Sequence, residues 1–148
     1  PYLLVLHKMR KINKIIIHCT ATPEGRSVSV DTIRKWHVEG NGWQDVGYHF
    51  VIALDGEVEE GRPLEKTGAH TKGSNWDSIG IAYVGGMNKE MDASKDTRTD
   101  EQKESLIDLI CELKDSYGGT VYGHRDFSNK DCPSFDAKKE YENISNRY

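Results

Sequence analysis

Lys14-Ile15-Ile16-Ile17-His18-Cys19 is the stretch on which the fold turns. Three consecutive isoleucines form the β-branched run expected of a strand covered on both faces, which places it inside a sheet rather than at its edge. Side chains alternate along a strand, so His18 shares a face with Ile16 and Cys19 shares the other with Ile17. They cannot both enter one site from regular strand geometry. Cysteine is among the most buried residue types, which makes Cys19 the core member. His18 is left at the strand's carboxyl end, where α/β sheets commonly open a crevice.

Working outward, Thr20 to Ser27 is a polar loop with Pro23 and Gly25, and Ser29 can cap a helix carrying Val30, Ile33 and Trp36 at helical spacing. That helix stops at Gly40-Asn41-Gly42, with His37 in its last turn, where the helix dipole favours a cationic imidazole. Tyr48 to Leu54 reads as a second strand, and Asp55-Gly56 as a two-residue turn that sends Glu57 to Glu60 back antiparallel. Tyr48 and His49 face opposite ways, so only one looks into the crevice with His18, and alternation alone leaves the choice open. Gly68 to Asn75 is a loop rich in hydrogen-bonding side chains, the kind that often carries binding residues. Ile79 to Val84 follows as a strand ended by Gly85-Gly86, and Met87 to Arg98 as a polar surface excursion. Thr99-Asp100-Glu101-Gln102 is a capping box, and Leu106, Leu109, Ile110, Leu113 and Tyr117 mark one helical face up to Gly118-Gly119, with Cys111 beside it. Thr120 to Tyr122 is a short strand delivering His124, and a weak helix from about Asp136 to Asn143 closes the chain.

The 148 residues fit one domain long enough to bury a core without disulfides. We divide the chain into an amino-terminal arm, residues 1–13, and a single domain, residues 14–148. A formal charge of -4 and a pI near 5.9 exclude broad attraction to nucleic acid, since phosphates need a basic stripe; the cluster Lys8, Arg10, Lys11, Lys14 is too short to supply one. Cys19, Cys111 and Cys132 form no C-x-x-C pair, and three thiols cannot all be paired within one chain, which favours synthesis in a reducing compartment. No apolar run approaches the roughly 20 residues that span a bilayer, and Tyr2 to Leu6 is too short for the apolar core of a signal segment. A monomer with no nucleic-acid or membrane partner is expected.

Reactive chemistry is densest in His124-Arg125-Asp126-Phe127-Ser128-Asn129-Lys130-Asp131-Cys132-Pro133-Ser134-Phe135, which holds an imidazole, an ammonium and a thiol within nine residues. Histidine and cysteine are ligands that zinc prefers, and His18 as a third would leave one tetrahedral position open for water. Lys130, two residues before Cys132, supplies positive charge that favours a thiolate. No single motif such as H-E-x-x-H accompanies the pattern.

Five blocks in order, Ile15 to Thr22, Trp43 to Ile52, Gly68 to Thr71 with Asn75, Ser78 to Ile81, and His124 to Phe135, resemble the type-2 N-acetylmuramoyl-L-alanine amidases. That family includes phage amidase lysozymes and peptidoglycan recognition proteins, and the resemblance, to the phage-type branch, runs from about Lys14 to Phe135. It implies an α/β fold, a single domain with a central mixed β-sheet flanked by helices, and a cleft holding one Zn2+. It further implies His18, His124 and Cys132 as metal ligands and Tyr48 and Lys130 as catalytic residues, which turns His49 into the core. The implied substrate is peptidoglycan or a muropeptide, cut at the amide between N-acetylmuramic acid and L-alanine at the bacterial cell wall. His70 and Asn75 are assigned to substrate binding in the cleft.

Two other functions fit parts of the pattern. Some members of the family bind peptidoglycan without cutting it, and those lack the cysteine that is present here as Cys132. A metal-free thiol hydrolase with Cys132 as nucleophile would instead use His124 or His18 as its base.

Overall fold

The computed structural model describes residues 10–144; Lys8 and the remainder of the arm up to residue 9, with residues 145–148, lie outside them. Among the described residues, seven strands, β1 (Lys14–Cys19), β2 (Thr22–Pro23), β3 (Phe50–Ile52), β4 (Val58–Glu60), β5 (Ser78–Tyr83), β6 (Gly86–Met87) and β7 (Thr120–Gly123), accompany three α-helices, α1 (Val30–Lys35), α2 (Asp100–Tyr117) and α3 (Ala137–Glu140). Five strands form one mixed sheet in the order β4-β3-β5-β1-β7, and β2 and β6 form a separate ribbon. β1 runs parallel to both β5 and β7, β3 runs parallel to β5, and only β4 is antiparallel. The isoleucine run is interior, and Ile15, Ile16 and Ile17 are fully buried.

The two faces of β1 do different things. Ile15, Ile17 and Cys19 enter the main core with Leu106, Leu109, Ile110 and Leu113 of α2 and with Val121 of β7. Helix α2 begins with the reciprocal capping box at Thr99 and Gln102 and stops at Gly118, whose φ of 73° suits glycine. A smaller core under α1 gathers Val28, Val30, Ile33, Val46, Val51 and Val84.

Several elements differ from the expected ones. Residues 10–13 are packed on the domain: Ile12 is buried in the main core, and the Arg10 guanidinium donates to the carbonyls of Leu64 and Ser78. Helix α1 is capped by Ser29 but passes at Trp36, which is exposed, into a π-helical turn, Trp36–Gly40. β3 is shorter than its apolar run, because Tyr48 and His49 lie in an extended lead-in; their carbonyls accept from Arg62 and Gly61 and the His49 amide donates to Gly80. The hairpin return is antiparallel as expected, but the last pair before the turn is Ala53 with Glu57, so three residues, Leu54 to Gly56, make the bend. The closing helix shrinks to one turn. The segment from Met87 to Arg98 is more than a surface excursion: its start forms the β2/β6 ribbon and its end buries Thr97 and Arg98. Arg98 pairs with Asp96 and Glu140 and lies 3.4 Å over the Phe135 ring, tying α3 to the loop of Cys132.

Candidate metal centre

The carboxyl end of β1 meets the carboxyl end of β7, and this junction brings His18 beside His124 and Cys132. The ligating atoms of these three residues all lie within 4.8 Å of one another. His18 Nδ1 is 3.8 Å from Cys132 Sγ, and the His18 and His124 rings are 4.6 Å apart. β1 fixes His18; the 3-10 turn His124–Asp126, whose Asp126 carboxylate accepts from the Gly123 amide, fixes His124. Cys132 is held from both sides. Its carbonyl accepts from Arg125 N, its sulfur accepts from Cys19 N at 3.2 Å, and the following residues are pinned by Tyr83 Oη donating to the Pro133 carbonyl and Ser134 Oγ donating to the Gly86 carbonyl.

Charge at the site follows from burial. Burial, then the neighbouring His70, His124 and Lys130, hold His18 well below the ordinary histidine value, and burial with Lys130 lowers His124. Both imidazoles are therefore neutral near pH 7 and have a lone pair to offer. The Cys132 thiol is pushed up, first by the Cys19 side chain and then by burial, while Lys130 acts in the opposite direction. A divalent ion deprotonates a coordinating thiol outright, so two neutral imidazoles and one thiolate are the donor set available. The residues fit a zinc-type centre with three protein ligands.

The remaining sequence-derived residues divide into front and back. Tyr48 is half-buried with its ring 5.2 Å from that of His18, and burial pushes its phenol up, so it stays protonated at neutral pH. Lys130 is exposed on the same loop as Cys132, near enough to act on His18, His124 and Cys132 through its charge. His70 does not line an open cleft. It is buried behind His18, with its Nδ1 2.8 Å from His18 Nε2 and its Nε2 3.3 Å from Ser78 Oγ. The Asn75 carbonyl oxygen Oδ1 accepts from the amides of both His70 and Thr71 and so closes their loop. His49 is core, its Nδ1 accepting from Gly80 N and its Nε2 facing the Lys66 carbonyl.

His37 departs from the helix-end cation expected of it. Its Nδ1 accepts from Gly47 N at 2.8 Å, its ring lies tilted 5.6 Å from that of Tyr48, and burial lowers its pKa, so it is a neutral brace for the Tyr48 segment. Sequence reasoning missed Thr71 and Ser78 at the site. Their only signal was position, one beside His70 and one at the start of a buried strand.

The family described as N-acetylmuramoyl-L-alanine amidase matches residues 8–135. The chain belongs to that amidase family. Similar members are the endolysin of Klebsiella phage KP32, 43% identical over 136 residues with 91% of this chain and 89% of that protein covered, and the endolysin of Escherichia phage T7, 44% identical over 131 residues with 86% and 84% covered. Among solved structures, the N-acetylmuramoyl-L-alanine amidase LysC from Clostridium intestinale superposes with a TM-score of 0.75 at 31% identity, covering 88% of this chain and 82% of that one. Bumblebee peptidoglycan recognition protein SA gives 0.74 at 30% identity, covering 90% and 83%. The amidase fold of the family is thus shared by cutters and by recognition proteins, and the mixed sheet described above is that fold.

Proposed function

We propose that this N-acetylmuramoyl-L-alanine amidase is zinc-dependent and hydrolyses the amide between N-acetylmuramic acid and L-alanine in peptidoglycan or its muropeptides. The observation that carries the reading is the convergence of His18, His124 and Cys132 within 4.8 Å at the carboxyl ends of two parallel strands. These three would hold the ion. Zinc bound there supplies Lewis acidity and a water whose pKa falls to about 7.

The rest of the reaction is assigned to the chain's own groups. Lys130, exposed beside the ligands, is the cation for the negative charge that develops on the scissile carbonyl oxygen, a contribution typically worth about 10²–10³ in rate. Tyr48 keeps its phenolic proton, so it orients the attacking water or donates a hydrogen bond and does not serve as a general base on its own. His37 and the Gly47 amide hold Tyr48's backbone in place. The catalytic unit is residues 14–148, with residues 10–13 packed against it.

The test is mass spectrometry of products released from purified peptidoglycan, with a chelator and with zinc added back. Free L-alanine amino termini together with intact muramic acid, lost on chelation and restored by zinc, are the expected result. Activity that survives chelation and stops on thiol alkylation would overturn it in favour of a thiol hydrolase, and uncut peptidoglycan from zinc-loaded protein would overturn it in favour of recognition alone.

A further inference from the structure

His18 offers Nδ1 to Cys132, which leaves Nε2 as the atom that sets its tautomer. Nε2 lies 2.8 Å from His70 Nδ1, and His70 Nε2 lies 3.3 Å from Ser78 Oγ. A ligating Nδ1 must be free of its proton, so the proton of neutral His18 sits on Nε2 and is donated to His70 Nδ1. His70 then carries its own proton on Nε2, where Ser78 Oγ accepts it. One direction of hydrogen bonding therefore runs from the candidate ligand through His70 to β5.

The slot that holds His70 is made for an imidazole. A Cβ at Gly80 would come within 2.6 Å of the His70 ring, and one at Gly68 within 2.7 Å of it. The two glycines let the ring lie against backbone. Asn75 fixes the His70 amide and Thr71 Oγ1 sits 3.0 Å from His70 Nδ1 and 3.3 Å from His18 Nε2. Such construction exceeds what filling a gap requires, since an aliphatic side chain would fill the space with no use for the three polar side chains, His18, Thr71 and Ser78, that face the ring nitrogens.

The geometry points to His70 as a positioning residue for the metal centre: it accepts the His18 Nε2 proton, locks the tautomer that presents Nδ1, and thereby raises zinc affinity without touching substrate. This assignment rests on the zinc reading above. Outer hydrogen-bond partners of metal-ligating histidines typically contribute 10–100-fold in affinity.

The experiment compares zinc affinity, by competition with a chromophoric chelator, for the unaltered protein, His70→Leu and His70→Asn. Leucine and asparagine share a branched side chain of four heavy atoms, but only asparagine keeps an acceptor near the Nδ1 position. The expected result is about 10–100-fold weaker zinc binding for His70→Leu and recovery of most of that loss in His70→Asn. In nitrogen-15 spectra of the zinc-loaded protein, the His18 Nε2 proton should lose its hydrogen-bonded downfield shift in the leucine variant alone. Equal affinities for folded leucine and asparagine variants and the unaltered protein would overturn the assignment while leaving the zinc reading intact; an unaltered protein that takes up no zinc would overturn that reading itself. If His70→Leu does not fold, Ser78→Ala decides: it removes only the far acceptor, and an affinity unchanged within about twofold would overturn the relay.

Discussion

His18 has two sides built on opposite plans. Behind it, His70, Ser78, Thr71 and His49 are buried among strands, with ring nitrogens engaged and glycines cut to fit. In front, His124, Cys132 and Lys130 come from a turn and a loop, half-buried to exposed. The back can hold a ring to a fixed orientation, because its groups are buried and hydrogen-bonded and close packing tolerates little displacement. The front can admit a substrate and let a cation move with it. Catalytic centres need both, and here the division falls across a single imidazole.

The largest effect should come from the front. Cys132→Ala removes the only sulfur of the ligand set, and we expect loss of bound metal and of amidase activity together, measured by metal analysis and peptidoglycan release on the same sample. The fold should survive, because Cys132 lies at the margin of the core. Full activity in that variant would break the distinction between the two sides at its strongest point. Lys130→Ala comes next: a drop of about 10²–10³ in turnover with metal content unchanged and little change in melting temperature, since the side chain is exposed. A variant that loses metal along with activity would make Lys130 part of the metal site instead.

The back should answer to acid. His49 is lowered to about 4 by burial, and His18 and His70 are held low for the same reason. The unfolded chain binds these protons near the ordinary value of about 6.5, whereas the folded chain refuses them, so unfolding takes up protons and stability falls as pH falls through that window. For His49 alone the loss between pH 6.5 and about 4 is on the order of 3 kcal/mol. Urea unfolding of metal-free protein at pH 7, 5.5 and 4.5 should show falling midpoints; a flat profile would mean that the buried imidazoles accept charge at no cost.

The division also explains what the amino-acid pattern made legible. Ile15-Ile16-Ile17 and the capping box at Thr99 report directly on burial and helix start, so β1 and α2 appear where the pattern puts them. The same alternation separates Cys19 from His18. The three candidate ligands were readable because few residue types can do that chemistry and each stands in a distinctive block. The burial of His70 was not legible for the converse reason: a histidine in a polar loop gives no sign of burial until the loop is seen to bring it against His18 and Ser78. Its glycine slot involves Gly68, nearby, and Gly80, ten residues on in a strand, and local reading has no means of linking them. Trp36 stands at helical spacing from Ile33 and is nonetheless exposed, at the point where α1 passes into the π-helical turn.

Gly80→Ala is the smallest of these changes and separates the two sides most sharply. Its φ lies outside the left-handed region, so the backbone accepts alanine without strain. The new methyl, however, would come within 2.6 Å of both Cγ and Cδ2 of His70 and 2.8 Å of its Nδ1. Gly68 also lies close to the ring, a Cβ there meeting His70 Cδ2 at 2.7 Å, and Asn75 holds the His70 backbone. Overpacking of this kind costs about 1–3 kcal/mol, which thermal or urea unfolding should read directly. The same shift would move the acceptor facing His18 Nε2, so metal affinity should fall together with stability although no ligand is altered. An alanine protein less stable but binding metal as tightly as before would show that the back supports the fold alone. One weakened in both would show that the rigidity of this side is what holds the ligand in place.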